Sequence, residues 1–157
     1  GKIELAAPSL LTDLQRAVAD LARPVPDMVI IGRREVRSNN SWMHNLPLLA
    51  KGPFRCTALL HPLDAARLGL AEGALAKISS SQGRKKIEAQ IHITDSMMPG
   101  VVSLPHGWGH DKPGARLAVA AERPGVNLND LLDDQLRDPL SGNAVLGGVA
   151  VEMSAVV

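Results

Sequence analysis

The chain has 157 residues, 45% of them hydrophobic and 21% charged, with a net charge of +1. That length fits one domain with a real core, and that composition excludes a disordered chain. The near-zero charge gives no field to recruit nucleic acid or an anionic membrane, and no apolar run reaches transmembrane length. Cysteine occurs once, at Cys56, which excludes an internal disulfide and a cysteine-built metal site.

In chain order, residues 9–22 carry helical periodicity, with Leu10, Leu14, Val18 and Leu21 on one stripe and Ser9 or Thr12 as candidate caps. Pro24 and Pro26 end this leader helix. No signal peptide opens the chain, and it begins at Gly1 as if cut from something longer. Residues 28–31 are a short apolar run closed by Gly32, the pattern of a buried strand. A dense polar stretch follows, containing Arg33, Arg34, Arg37, Ser38, Asn39, Asn40, Ser41, Trp42, His44 and Asn45.

Residues 54–60 read as a strand with Cys56 as a packed thiol. His61, Pro62, Asp64 and Gly69 then punctuate one short helix: a cap, a proline at the first position, an acid in the first turn and a glycine past the end. Glu72 and Gly73 turn the chain into a strand at 74–80, and Gln82 and Gly83 signal a hairpin. Residues 86–94 alternate apolar and polar, the mark of a half-buried strand. Pro99 and Gly100 turn into a strand at 101–104, and a second polar cluster follows with Pro105, His106, Gly107, Trp108, Gly109 and His110. Residues 127–135 predict a short helix and 144–151 a closing strand. Short strands, frequent Gly and Pro turns and a few small helices predict a mainly β domain, a closed barrel or a sandwich with helical inserts. Aromatic residues are only 2% of the chain, so its core is aliphatic.

The two polar clusters are rich in hydrogen-bonding groups and poor in groups that do covalent chemistry. Guanidinium groups beside a glycine suit phosphate, and Asn and Ser supply uncharged donors and acceptors for a heterocycle. Trp42 and Trp108 each offer a flat face for stacking, or a plug for the core. His106 and His110 stand four apart, but Pro105, Gly107 and Gly109 argue against the helix that would align them for a metal. No Gly-x-Ser-x-Gly elbow, Walker loop or GxGxxG motif occurs. These features predict a site that holds a large polar ligand.

The motifs, taken together, resemble those of a known family. They are Ile30 to Arg34 with Arg37 to Asn45; His61 to Ala65 with Leu68, Gly69 and Gly73; and Pro99 to Val102. Next come Leu104 to His110, then Gly125 to Asn129, then Asp138 to Gly142. In this order they resemble the C-terminal dinucleotide-binding domain of the molybdopterin oxidoreductases, the dimethyl sulfoxide reductase and formate dehydrogenase superfamily. The resemblance implies a six-stranded double-psi β-barrel over residues 27–157, preceded at 1–26 by a leader helix and linker from a preceding domain. It implies a cofactor, molybdopterin guanine dinucleotide, carrying molybdenum or tungsten, whose pterin and pyrophosphate this domain would hold. The site residues it points to are Gly32, Arg33, Arg37, Ser38, Asn40, His44, His106, Gly107, Trp108, Asn127 and Asn129. It implies no catalytic residue and no metal ligand in this chain, which would work with the preceding domains of the same polypeptide and not catalyse redox alone. The other reading is a stand-alone barrel module that binds a protein partner. With no export signal visible, the expected compartment is the cytoplasm.

Overall fold

The computed structural model describes residues 1–81 and 85–156, so the hairpin turn expected at Gln82 and Gly83 lies outside the described residues. Six strands form: β1 Val29–Arg33, β2 Thr57–Leu60, β3 Leu75–Ser80, β4 Lys86–Ile93, β5 Val101–Pro105 and β6 Val149–Ala155. They close into a barrel in the order β1-β5-β2-β4-β3-β6. Closure leaves no unpaired sheet edge among these strands.

Period-two patterning decides what faces inward. In β4, Ile87, Ala89 and Ile91 are buried while Lys86, Glu88 and Gln90 are exposed. The register carries this across the sheet, with Ile78 opposite Ile87 and Ala76 opposite Ala89. Ile30 lies beside Val102, and Ala58 beside Ile91, in two parallel pairs. Leu128, Leu131 and Leu132 join the same core from outside the strands. Each fully buried Ile or Leu contributes roughly 1.5–3 kcal/mol relative to exposure.

Helices accompany the barrel: α1 Pro8–Asp20, α2 Pro47–Ala50, α3 Pro62–Leu68 and α4 Ala118–Ala121. The punctuation around α3 forms as the sequence predicts. His61 Nδ1 accepts from Leu63 N at 3.1 Å, and Gly69 takes a left-handed φ of 65°. Asp64 does more than favour the helix N-terminus: its buried carboxylate accepts from Gly100 N at 2.7 Å and from Arg67 at 3.2 Å. That first bond ties α3 to the turn that launches β5.

Several expectations are corrected. Neither Ser9 nor Thr12 caps α1; the N-cap is Ala7, and Thr12 Oγ1 instead donates back to Pro8 O, one turn earlier. The apolar stripe of α1 is real but exposed, and none of its residues is buried. β2 begins at Thr57 rather than at Phe54. Residues 127–135 form only a 3-10 turn at Leu128–Asp130, where the core claims the leucines. The closing strand starts at Val149, after two glycines, and runs on to Ala155; Ala144 makes just an isolated bridge to Arg137. Sequence reasoning missed α2 and α4, each too short to show a helical period.

Candidate functional site

Parallel pairing is what brings the two polar clusters together. β1 and β5 run side by side with Gly32 beside Leu104 and Arg33 beside Pro105, so both clusters leave the same end of the barrel. His106 N donates to Arg33 O at 3.1 Å and extends that pairing into the loops. Residues some seventy apart in sequence become neighbours through one register.

Glycines then let the loops close on one another. A Cβ on Gly107, whose φ is 85°, would sit 2.4 Å from the backbone of Asn40. One on Gly109 would sit 2.5 Å from Asn127 Cβ. Such distances are far inside van der Waals contact, so only glycine permits these approaches. Hydrogen bonds from Gly109 N and His110 N to Pro124 O, at 2.7 and 3.2 Å, complete the third loop's attachment. Asn39 and Asn40 both take positive φ, 40° and 65°, a conformation asparagine tolerates better than most residues.

The result is a groove of about 490 Å³ lined by Arg34, Asn40, Ser41, His106, Gly107, Trp108, His110, Asn127, Leu128, Asn129 and Leu146. It contains an arginine and no carboxylate, so it suits an anion. Among the described residues, no hydrogen bond uses the side chains of Arg34, Asn40, Ser41, His106 or Asn129, and these remain available to a ligand.

The expected site residues divide. Asn40, His106, Gly107, Trp108, Asn127 and Asn129 line this groove. Gly32 lies beneath it: a Cβ there would meet His106 Nε2 at 2.1 Å, so the bare glycine is what seats that ring. Asn127 is partly committed, accepting from Asn129 N at 3.1 Å and donating to Asp130 at 3.0 Å. Arg37, Ser38 and His44 lie instead around a smaller, more closed cavity on the other side of Trp108. Arg33 turns away from the groove. Its guanidinium donates to Ser103 O at 2.6 Å, Arg55 O at 3.1 Å and Glu35 at 3.1 Å, which makes it a brace between strands. Sequence reasoning had no means to tell it from Arg34: Arg33 is the last residue of β1, and Arg34 is the first residue beyond it.

His110, weighed in the sequence only for metal binding, is a groove residue. Its Nε2 lies 2.7 Å from His44 Nδ1, and Trp108 packs 4.1 Å from the His44 ring, centroid to centroid. Burial pushes both histidines below the usual imidazole range. His110 lowers His44 further, Asp111 opposes the shift of His110, and the Gly107 carbonyl opposes the shift of both. His106 turns to Gly32 and His110 to His44, so the two do not converge on one point. Trp42 is 79% exposed and plugs nothing. Asn45 accepts from Val119 N and Ala120 N at 3.0 and 3.3 Å, supplying from a distant loop the cap that α4 lacks. Cys56 is the packed thiol expected; burial pushes it up to about 11, and Val126 N donates to its Sγ at 3.2 Å.

The family described as Molydopterin dinucleotide binding domain matches residues 28–150. A tetrathionate reductase chain of Salmonella typhimurium is 31% identical over 62% of this chain and 11% of its own length. The molybdopterin-containing subunit of the arsenate respiratory reductase of Chrysiogenes arsenatis is 30% identical over 76% of the chain and 15% of its own length. Among solved structures, acetylene hydratase from Pelobacter acetylenicus superposes over 99% of this chain and 21% of its own, with a TM-score of 0.67 at 20% identity. The chain thus spans between a tenth and a quarter of the length of these relatives. No described helix is long and apolar enough to cross a membrane.

Proposed function

This chain belongs to the molybdopterin dinucleotide-binding domain family, and from that premise we propose that its three-loop groove holds the guanine dinucleotide end of the cofactor. The observation that carries the proposal is the convergence of Arg34, Asn40 and Ser41 with His106, Gly107, Trp108 and His110 and with residues 127–129 on one groove that no carboxylate lines. Arg34 would meet the pyrophosphate, with Asn40, Ser41 and Asn129 on the polar ring edges and His106 beside them. A guanidinium pairs bidentately with phosphate oxygens, which suits Arg34 to that place. Gly107 and Gly109 keep the loops close enough for these groups to act on one molecule. When bound, the cofactor supplies the metal centre at which a parent enzyme's reaction occurs; the chain's own residues bind and orient.

On this reading the chain is not sufficient for catalysis. It is the cofactor-holding part of a longer molybdenum or tungsten enzyme, and it acts with the preceding domains of the same polypeptide, from which residues 1–26 lead in. The test is to replace Arg34 or Asn40 by alanine in the full-length protein and measure pterin and metal content. Both variants should lose cofactor; with cofactor removed from variant and wild type alike, Arg34→Ala should unfold at the wild-type temperature and Asn40→Ala lower, because residue 40 holds a φ of 65°. Full occupancy in both would overturn the assignment of the groove.

A further inference from the structure

The apolar side of α1 has no cover among the described residues. Leu10, Leu11, Leu14, Val18 and Leu21 are each at least 50% exposed, and no residue of the helix is buried. Leu11, Leu14, Val18 and Leu21 stand three, four and three residues apart, the spacing of a helix-packing seam. Leu10, Gln15 and Ala17 flank that seam and carry no charge. The charges gather on the opposite face, where Arg16 joins Asp13 at 2.7 Å and Asp20 at 2.9 Å. A helix of 13 residues is marginal in water by itself, and packing of its apolar face is what usually holds it. Exposed ion pairs add little.

We propose that the stripe Leu11, Leu14, Val18 and Leu21 is a docking surface, and that its occupant is an uncharged apolar face of the preceding part of the same polypeptide. The inference rests on the reading that this chain belongs to a longer enzyme, and it does not involve the groove.

Two observations select this occupant. The chain spans 11% of the tetrathionate reductase and 21% of acetylene hydratase, and the latter superposes over 99% of this chain, a share that includes α1. The helix thus keeps its place in the fold of a protein most of which lies outside this chain. The second observation is the size of the stripe, which excludes a second copy of this chain. Interfaces between separate chains take about 20–30 residues a side. The stripe and its flank offer five apolar residues. A two-stranded coil needs about three or four heptads, and the 13 residues of α1 make fewer than two. Contact within one polypeptide needs far less area, because a tethered partner is present at high effective concentration.

The experiment is hydrogen exchange, read by mass spectrometry, on the full-length protein and on the 157-residue chain alone. Amides of residues 12–20 should exchange at least about a hundredfold slower in the full-length protein, the effect of burying two or more leucines. Leu14→Gln keeps helix propensity and removes the apolar contact, so in the full-length protein it should speed that exchange by about tenfold or more. Arg16→Gln, on the charged face, should change it by less than about fivefold. The chain alone should sediment as a monomer. Equal exchange in the two wild-type proteins overturns the proposal whether or not a variant folds. So does protection that Leu14→Gln leaves intact, or a dimer of the chain alone that Leu14→Gln dissolves. Pterin and metal content of the same full-length sample reports the cofactor reading separately. Cofactor present with α1 unprotected overturns the docking alone; α1 protected with cofactor absent supports the docking and overturns the cofactor reading alone.

Discussion

Replacing Gly107 by alanine probes the contact on which the groove depends. Two costs are separable. The first is backbone: at φ 85° an L-residue is disfavoured by about 1–2 kcal/mol. The second is collision: the new Cβ would lie 2.4 Å from the carbonyl carbon and oxygen of Asn40 and 2.7 Å from Ser41 N. Backbone cannot swing aside as a side-chain tip can, and forced overpacking costs about 1–3 kcal/mol. Gly114 isolates the first cost, because its φ is 88° and a Cβ there meets nothing within 4 Å. Gly107→Ala should therefore be destabilised by about 2–5 kcal/mol and Gly114→Ala by about 1–2 kcal/mol. Urea unfolding measures the difference, and hydrogen exchange at Gly109 N and His110 N shows whether the loss is local opening of the loops. Equal destabilisation within about 0.5 kcal/mol, the usual scatter of exposed sites, would refute the argument that the loops are welded through this glycine.

Arg33→Ala should lower stability by about 1–3 kcal/mol, since it removes a brace to two carbonyls and Glu35. Arg34→Ala should leave stability within about 0.5 kcal/mol of wild type and weaken nucleotide binding; thermal unfolding and titration separate the two. Gly32→Ala should displace the His106 ring rather than unfold the barrel, because the atom it would strike is a side-chain end; a shifted His106 resonance with a nearly unchanged unfolding midpoint is the expected pair of results. The His44 and His110 rings are held below their ordinary value of 6.5, chiefly by burial, so the unfolded chain binds more protons in acid. Their contribution is complete above that value and is lost as pH falls through the lowered folded values. The urea midpoint should drop as pH falls below 6.5, and the drop should shrink in His110→Phe; an equal drop in that variant would remove the histidines as its cause. Cys56 should resist alkylation at neutral pH until the chain unfolds, because its thiol is buried and pushed up to about 11.

The barrel was legible because its strands keep strict habits. The alternation at 86–94 and the short run at 101–104, apolar but for Ser103, fall on β4 and β5. The short helix was legible because His61, Pro62 and Gly69 each act through local backbone chemistry. The closing strand was misplaced because the apolar residues 144–146 resemble strand residues, while the glycines at 147 and 148 hold the start back to Val149. The three loops of the site were marked by their composition, but their partners were not. Arg33 and Arg34 look alike in sequence, but β1 ends between them, so that one braces Ser103 and the other lies in the loop at the groove. The His44–His110 contact joins residues 66 apart and has no local signal at all. It exists because β1 and β5 are parallel neighbours.

The most direct test of the central claim is an NMR titration of this chain with guanosine diphosphate, following backbone amides. The account predicts shifts concentrated at Arg34, Asn40, Ser41, residues 106–110 and residues 127–129, abolished in Arg34→Ala. Shifts centred instead on the β2–β4 face around Glu72 and His92, or none at millimolar nucleotide, would contradict it.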